Sequence, residues 1–553
     1  MRWQKLARKE LEGRGIYTNF VLLKKNDFNL FKIFKYMKRL FLILSIVICC
    51  AGWGDARTYF RGDANIDGVV NVSDITTLVS QITGEPVESF DFESSDLNAD
   101  RALNVSDVTS LVNLVLEGRE MKTAHDYVWD YDAFPEIHLE VPLDEWNKLL
   151  QAFDADIYTH QYVMARCTYR VNGDRTVIDS IGLRLRGNTS RRRPEIAESG
   201  TLHQTDRTNW QHVHFMLNFD KFVNDTEHTI LGVKKMNLKW LKDDPTYVRE
   251  MYCYDLFRRY GVWTGIDDTY CKLYLHVEGD SKEVYYGVYE MLEPIDKQFL
   301  KRRKDRFVSN KGFLWKCEQA QAGLNWTGAD IAVDDDKNHA YTLKTNETEF
   351  QAAKLQLVDF ILKLTGKTDE SFYTWIQQVC DVDLLLKTYA VNVAVGMWDD
   401  YWNNANNYYI YFNSTDKLNY QFFFIPYDYD NTLGTSIAGG AQTDAGRQDP
   451  LKWGRDEYPL IRRLLVFPDF KAKYIGYLKE LAADDGLFNI KASKPRITEW
   501  QNKIRDYIAN DTGQDMQLRD EPAPWGNHHE YRLFEEGPNN FFEVKTAVIN
   551  ALP

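Results

Sequence analysis

The chain has 553 residues, 44% of them hydrophobic, and a formal net charge of −14 at pH 7. So many apolar and aromatic side chains can build a large core, which excludes disorder for most of the chain. A nucleic-acid-binding protein needs a basic face, and this acidic balance indicates none. The length predicts two or three domains.

Residues 37–56 (MKRLFLILSIVICCAGWGDA) have the pattern of a secretory signal, with a Lys-Arg start, an apolar run and a tail of small residues. The apolar run is too short to span a membrane, and no later segment is apolar enough. Met37 is therefore the expected start, and residues 1–36 an artefact of start-codon choice. We expect a secreted, extracellular or cell-surface protein, with a lipoprotein tether at Cys49 or Cys50 as an open alternative.

A loop motif occurs twice, as DANIDGVVNVSD (63–74) and DLNADRALNVSD (96–107), and each copy leads into an apolar helical pattern. Oxygen-bearing side chains occupy positions 1, 3, 5, 9 and 12, the spacing of an EF-hand-type Ca²⁺ loop. They are Asp63, Asn65, Asp67, Asn71 and Asp74, then Asp96, Asn98, Asp100, Asn104 and Asp107. Gly68 fills the sharp-turn position in the first loop but Arg101 stands there in the second, so we expect weaker binding there.

Two such loops, each followed by a helix, resemble a type I dockerin, a small all-α calcium-binding module, here spanning 57–119. The resemblance implies Ca²⁺ binding and docking to a cohesin-like receptor through Val72–Ser73 and Val105–Ser106. The alternative is two polar turns that bind nothing. Residues 120–134 look like a linker, and 135–553 form the next domain.

From residue 135 the chain alternates strand and helix patterns, which predicts an α+β domain. A strand and a helix come first, then strand-like runs at 161–171, 179–193 and 213–222, a lysine-rich strand and helix within 232–262, and a hairpin within 271–300. Beyond residue 348 the patterns are mostly helical. We expect a sheet lobe over about 135–300, a helical lobe after it, and a cleft between the two.

The run RLRGNTSR ends a predicted strand in a turn of small hydrogen-bond donors. Backbone and hydroxyl donors in such a turn can cradle phosphates, as a glycine-rich loop does. The residues concerned are Arg186, Gly187, Asn188 and Ser190. An ordinary strand-end turn with basic neighbours is the alternative interpretation.

Two polar clusters flank the predicted hairpin YYIYF…YQFFFI. Asp399 and Asp400 precede it with Asn403, Asn404, Asn406 and Asn407, and Asp428-Tyr429-Asp430 follows it. A hairpin brings both clusters to one end of a sheet. Carboxylate and amide oxygens suit Mg²⁺, and Asp, Asn, Asp is the order of base, metal-binding Asn and metal-binding Asp in protein kinases. The alternatives are simple polar turns, or an acid/base carboxylate pair of a carbohydrate-active hydrolase.

Five motifs in this order along the chain resemble the CotH family of spore-coat-type atypical protein kinases. They are RLRGNTSR, GVKKMNLK…DDPTYVREMYCYDLFRRYGV, YYGVYEMLEPID, WDDYWNNANNYYIY and IPYDYDNTLG. The resemblance implies a divergent, two-lobed kinase-like fold that uses ATP and Mg²⁺ to phosphorylate protein Ser/Thr outside the cytoplasm. It implies Asp399 as the catalytic residue. It further implies nucleotide binding by Arg186, Gly187, Asn188, Ser190 and Glu293, and Mg²⁺ binding by Asp428, Asp430 and an Asn. Asn404 and Asn407 are taken as candidates for that Asn, but the resemblance does not decide among Asn404, Asn406 and Asn407.

One feature departs from the family. Relatives usually carry a lysine-rich strand just after the loop, whereas this chain has His212 and His214 there. A kinase needs a fixed cation on the nucleotide phosphates, which Lys221, Lys235 or Lys239 can supply. The departure and the appended dockerin-like module favour one alternative to the kinase, a catalytically inactive kinase-fold surface or scaffold protein. A carbohydrate-active hydrolase is the second alternative, because dockerins often accompany such enzymes.

Overall fold

The computed structural model describes residues 62–66, 70–87, 89–97, 102–116, 124–223, 228–333, 339–435, 444–523 and 531–553. The expected signal segment and the residues before it lie outside these ranges, as do three of the expected calcium ligands, Asp67, Asn98 and Asp100. The described part contains no helix that is long and apolar enough to cross a membrane. The five cysteines within it are buried and free.

The first described region is helical. Its helices are α1 (Val72–Thr83), α2 (Phe92–Ser95) and α3 (Val105–Leu116). A small core that includes Leu78 and Leu111 holds them together. Asn71 caps α1 through a hydrogen bond from the Ser73 amide, the side-chain oxygen satisfying a free amide of the first turn.

The stretch 120–134 packs onto the larger domain where it is described, from residue 124 on. It contains α4 (Ala124–Val128). Trp129 and Tyr131, which follow α4, are buried. The Tyr131 hydroxyl donates a 2.7 Å hydrogen bond to Asp268, so these residues belong to the folded domain and not to a free linker.

Seven strands close into a barrel in the order β1-β2-β3-β4-β5-β7-β6. They are β1 (Glu136–Val141), β2 (Val163–Val171), β3 (Asp174–Arg186), β4 (His214–Asn218), β5 (Lys235–Lys239), β6 (Asp268–Val277) and β7 (Val284–Leu292). β1 pairs antiparallel with β2 and parallel with β6, with Ile137 opposite Tyr169 and Leu273. These three side chains are buried, because alternate residues of each strand face the barrel interior.

Two helices belong to the barrel region, α5 (Leu143–Ala155) and α6 (Arg249–Arg259). α5 packs against β2. The strands expected at 161–171, 179–193 and 213–222, the lysine-rich strand, the helix after it and the β6–β7 hairpin are all present.

The part after the barrel holds a second, five-stranded sheet, so the lobe expected to be mostly helical contains more strands than the predicted hairpin. After α7 (Lys297–Arg302) and α8 (Lys304–Phe307), the strands are β8 (Phe313–Cys317), β9 (Ile331–Val333), β10 (Tyr341–Leu343), β11 (Tyr408–Phe412) and β12 (Phe422–Pro426), in the order β12-β11-β8-β10-β9. β8 pairs with both β10 and β11. β9 and β10 have only three residues each, too few for a period-2 pattern to reveal them.

Helices surround this second sheet. They are α9 (Phe350–Gly366), α10 (Asp369–Val379), α11 (Val382–Val395), α12 (Tyr401–Asn404), α13 (Pro459–Leu464), α14 (Pro468–Ala482), α15 (Ile490–Ile504) and α16 (Phe541–Asn550). α11 is the central one, buried along most of its length, and it packs against α6, α14 and β12. It ends at Gly396, which has the left-handed conformation that helix ends favour.

The hairpin that organises the site is confirmed. β11 and β12 pair antiparallel, with Tyr408 opposite Pro426. Asn407 immediately precedes β11, and Asp428 follows β12 by two residues. The hairpin therefore brings the two polar clusters to the same end of the second sheet.

Candidate functional site

A cavity of about 640 Å³ lies between the barrel and the second sheet. This size is in the range of small-molecule sites. Its lining carries eight basic residues, Arg184, Arg186, Arg191, Lys221, Lys235, Lys297, Lys316 and Lys344, against four acidic ones, Asp296, Glu318, Glu347 and Asp428. A basic cavity in an acidic protein favours an anionic ligand.

The turn of residues 186–190, which we name the RGNTS turn, forms one wall of this cavity. Arg186, Gly187 and Asn188 are in the lining. Gly187 has a φ of +107°, and a Cβ there would lie 2.6 Å from the hydroxyl oxygen of Ser190, so the turn requires glycine. Arg191 closes the turn by donating a 2.6 Å hydrogen bond to the Gly187 carbonyl.

Arg186 also ties this wall to the opposite one. Its guanidinium donates a 2.8 Å hydrogen bond to the hydroxyl of Tyr427, the residue before Asp428. Asn188 and Asp428 line the same cavity, as the ordered motifs predict. The barrel-end turn and the hairpin end therefore face each other across one space.

Lys239, the last residue of β5, is the centre of what we name the lysine cluster: Lys239, Glu250, Asp428 and Asp430. Its ammonium donates hydrogen bonds to Glu250 on α6 and to Asp428, and lies 3.1 Å from a carboxylate oxygen of Asp430. Burial lowers the pKa of Lys239, but the three carboxylates outweigh burial and hold it well above the ordinary lysine value. Lys239 therefore carries a fixed charge.

The lysine cluster has more negative than positive groups. Burial raises the pKa of Asp428, but Lys239, Arg186 and Lys316 outweigh it and bring that pKa below the ordinary value. Burial, with Asp428 and Glu250, instead raises the pKa of Asp430 to about 8 despite Lys239. One ammonium is thus too little charge for three neighbouring carboxylates, and a further cation would be stabilised there.

The donor set fits a divalent metal. Carboxylate oxygens of Glu250, Asp428 and Asp430 lie within 4.8 Å of one another. One Asp430 oxygen is buried and has no hydrogen-bond partner among the described residues. Such an orphaned oxygen costs free energy unless a cation or water satisfies it.

The second group, which we name the asparagine cluster, consists of Asp399, Asn404, Asn406 and Asn407. One carboxylate oxygen of Asp399 accepts hydrogen bonds from Asn404 (2.6 Å) and Asn406 (3.2 Å), and the other accepts from Asn407 (3.1 Å). Burial raises the pKa of Asp399, and the amide hydrogen bonds only partly offset this. An amide-bound carboxylate with a raised pKa suits a proton acceptor.

Asn407 differs from Asn404 in its position. Its amide nitrogen also donates to the main-chain carbonyl of Asp399 at 3.0 Å. Asn407 and Asn406 line the cavity, and Asn404 is not among the described lining residues. Of the two candidates Asn404 and Asn407, Asn407 therefore has the better position for a metal ligand.

Asp400 has a separate, structural position. It is 2% exposed and caps α12 by accepting from the Asn403 amide at 2.8 Å. Its other oxygen accepts a 2.6 Å hydrogen bond from Asn392 on α11. Burial raises the pKa of Asp400 to about 7. The Asp399-Asp400 pair thus divides into one residue beside the cavity and one within the core.

Five of the predicted kinase-site residues line this cavity, namely Arg186, Gly187, Asn188, Asn407 and Asp428, but Glu293 lies elsewhere. Its carboxylate is buried and pairs with Arg302 and with Arg303, at 2.8 Å from the latter. The next residue, Pro294, lines the cavity. Asp399 contacts the lining residue Asn407. Asp430 is connected to the lining residue Asp428 through Lys239.

Neither His212 nor His214 is among the described residues that line the cavity. Burial, with Arg186 and Lys239, lowers the pKa of His214 well below its ordinary value, and its Nδ1 accepts a 2.9 Å hydrogen bond from the Trp240 amide. His214 is therefore neutral. Lys235 pairs with Asp296 at 3.0 Å, whereas Lys239 contacts the carboxylates of the site.

Sequence reasoning missed the partner of Lys239. Glu250 lies at the start of α6, after the DDP turn, and is 3% exposed. A lysine that ends a strand, followed by a helix with an early glutamate, is the pattern of the strand-lysine and helix-glutamate pair of kinases. That pattern in the sequence was the signal that could have identified Glu250.

The family model described as CotH kinase protein matches residues 183–540. No curated protein matches the chain. The matched range starts within β3 and contains the RGNTS turn, the lysine cluster and the asparagine cluster. Since it covers more than half of the 553 residues, the chain belongs to the CotH kinase family.

Proposed function

We propose that this protein is a kinase that transfers the γ-phosphate of ATP to serine or threonine of another protein, with Mg²⁺. The carrying observation is the contact of Lys239 with Glu250 on one side and with Asp428 and Asp430 on the other. Protein kinases need both a Lys–Glu pair and a metal-binding Asp to be in place.

The phosphates would bind on the basic side of the cavity. The RGNTS turn offers backbone amides and the Asn188 side chain, and Lys221, Lys316 and Lys344 add charge. Transfer of a phosphoryl group needs little covalent help from the protein and depends on positioning and on neutralising phosphate charge. The composition of the cavity is suited to that task.

Asp428, Asp430 and the amide oxygen of Asn407 would hold Mg²⁺. When bound, the ion neutralises charge on the phosphates and aligns them. Lys239 would then keep Glu250 as its partner and turn its charge toward the nucleotide phosphates.

Asp399 would orient the acceptor hydroxyl and take its proton. The hydroxyl oxygen forms a bond to the γ-phosphorus, the bond between that phosphorus and the β,γ-bridging oxygen breaks, and ADP leaves with the electron pair. The raised pKa of Asp399 makes it a stronger proton acceptor than an exposed aspartate. Asn404, Asn406 and Asn407 hold its carboxylate in place.

Two assays on the purified chain test this proposal. Calorimetry with Mg·ATP measures binding, and labelled phosphate measures transfer to a serine-rich acceptor or to the protein itself. We expect binding that EDTA abolishes, and transfer. Binding without transfer to any acceptor would favour an inactive kinase-fold scaffold, and no nucleotide binding would reject both kinase interpretations. As a secreted or surface protein, the kinase would act on extracellular substrates.

We also propose that the N-terminal repeats bind Ca²⁺ and dock to a cohesin-like receptor. Asp63, Asp74 and Asp107 are at most 4% exposed, and such a set of buried carboxylates suits a hard cation. Asp74 accepts hydrogen bonds from the amides of Asn65 and Asn71, at 3.2 and 2.8 Å. Calorimetry with Ca²⁺ on the full chain tests this, and unchanged binding in Asp74→Ala would contradict it.

A further inference from the structure

A segment after α15, residues 508–523, runs back from the second half of the chain across the barrel, and we name it the C-terminal strap. It is joined to β7 by one backbone hydrogen bond and one bond to a side chain. The Asp511 amide donates to the Tyr285 carbonyl at 2.8 Å, and the Tyr285 amide donates to the Asp511 carboxylate at 2.9 Å. This end of the strap contacts the barrel away from Lys239.

The middle of the strap contacts Trp240, which directly follows Lys239. The indole nitrogen of Trp240 donates a 2.8 Å hydrogen bond to the Asp515 carboxylate. Arg192 lies over the same indole ring, 4.5 Å from its centre, and Nδ1 of His212 is 3.4 Å from Asp515. Burial raises the pKa of Asp515, but His212, Trp240 and Arg192 outweigh it and lower that pKa, so the carboxylate is ionised.

The end of the strap contacts Arg249, which directly precedes Glu250. The Arg249 guanidinium donates to the Glu521 carbonyl at 2.9 Å and to the Thr432 carbonyl at 3.2 Å. Thr432 follows Asp430 by two residues. Arg249 thus links the strap, the start of α6 and the loop that carries the metal-type carboxylates.

The turn between Trp240 and Arg249 needs such support. Asp243 and Tyr247 both have a φ of +61°, a conformation that non-glycine residues adopt at a cost and keep only when their surroundings hold them. The Tyr247 hydroxyl donates to the Asp515 carbonyl at 2.6 Å, and the Arg519 amide donates to the Pro245 carbonyl at 2.8 Å. The strap therefore holds the turn that joins the two elements carrying Lys239 and Glu250.

We propose that Asp515 is a positioning residue, which through Trp240 and the strap keeps Lys239 and Glu250 aligned for phosphate transfer. This rests on the proposed kinase function. Lys239 and Glu250 lie on different elements, so their alignment depends on what fixes β5 against α6. A displacement of about 1 Å at a reacting site can lower the rate about 100-fold.

The test compares Asp515→Ala with Asp511→Ala, since both carboxylates are exposed and both hold the strap, but only Asp515 contacts Trp240. We expect Asp515→Ala to lower kcat about 10- to 100-fold, at a temperature where circular dichroism shows it folded, with KM for ATP changed less. Asp511→Ala should keep kcat within about twofold, and Asp515→Asn, which retains an acceptor for Trp240, should recover most of it. Equal kcat for Asp515→Ala and Asp511→Ala would overturn the proposal.

Two further measurements separate positioning from general damage and from failure of the kinase function. In a Lys239→Ala background, Asp515→Ala should add less than about a twofold loss, because residues that act through one group are not additive. Hydrogen exchange needs no activity, and Asp515→Ala should speed exchange in residues 239–250 more than Asp511→Ala does. If the wild-type protein transfers no phosphate but exchange responds this way, the kinase function fails and the positioning contact stands. If exchange in 239–250 is unchanged, the positioning contact is rejected whether or not transfer occurs.

Discussion

The lysine cluster and the asparagine cluster lie at the same cavity, but they hold their carboxylates in opposite ways. In the lysine cluster, Asp428 is paired with a buried ammonium, and its pKa is lowered despite burial. In the asparagine cluster, Asp399 is held by neutral amides, and its pKa is raised by burial. A carboxylate kept ionised can bind metal, whereas one with a raised pKa can take a proton.

The two clusters also differ in their net charge. Three carboxylates share one ammonium in the lysine cluster, so a divalent cation would complete it. The asparagine cluster has a single charge, on the Asp399 carboxylate, and three amides that already donate hydrogen bonds to it. Changes in the two clusters should therefore fail in different ways, and each prediction below uses that difference.

The largest effect is expected for Asp428→Asn. An amide cannot replace the charge that pairs with Lys239 and holds Mg²⁺, so the variant should lose Mg-dependent nucleotide binding and, with it, transfer. Calorimetry with ATP at saturating Mg²⁺ measures this. Binding equal to that of the wild-type protein would show that the metal is held elsewhere.

Asp399→Asn should keep Mg·ATP binding and lose transfer by roughly two to four orders of magnitude, the usual range for a positioned acid–base group. Because burial raises the pKa of Asp399, transfer by the wild-type protein should decline with falling pH earlier than an exposed aspartate would give. The measurement is kcat against pH beside a binding titration. A loss of binding as large as the loss of transfer would contradict separate roles.

Asn407→Ala and Asn404→Ala form a matched pair, since both amides bond to Asp399 but only Asn407 lines the cavity. Asn407→Ala should raise the Mg²⁺ concentration for half-maximal transfer by about tenfold, a typical loss for one supporting polar group at a metal site. Asn404→Ala should lower kcat with little change in Mg²⁺ dependence. The reverse pattern would exchange their roles.

The sequence predicted the parts of the site that are local in the chain. The hairpin, the RGNTS turn and the Asp/Asn motifs each have their own pattern, and their order indicated the family. The choice of Lys239 needed contacts between residues far apart, since Lys239 and Asp428 are separated by 189 positions. Glu293 was placed in the site through the family resemblance, but Arg302 and Arg303, nine and ten positions further along the chain, pair with its carboxylate.

The smallest effect is expected for Asp400→Asn, which tests how Asp400 differs from its neighbour Asp399. Its pKa is about 7 in the folded protein but near 3.9 in an unfolded chain, so only the folded state keeps the proton between these values. The stabilisation from this proton is complete below about pH 4 and is lost as pH rises towards 7.

Asn at position 400 can still cap α12 but cannot titrate. Between pH 5 and 8, the unfolding free energy of Asp400→Asn should therefore fall less than that of the wild-type protein, by about 2–3 kcal/mol. Urea titrations at the two pH values measure this difference between the two proteins. Asp430 and other titrating groups contribute equally to the pH dependence of both proteins, so their contributions cancel. Equal pH dependence would mean that Asp400 holds no proton at neutral pH and that the core contains a charged carboxylate at this position, not a neutral acid.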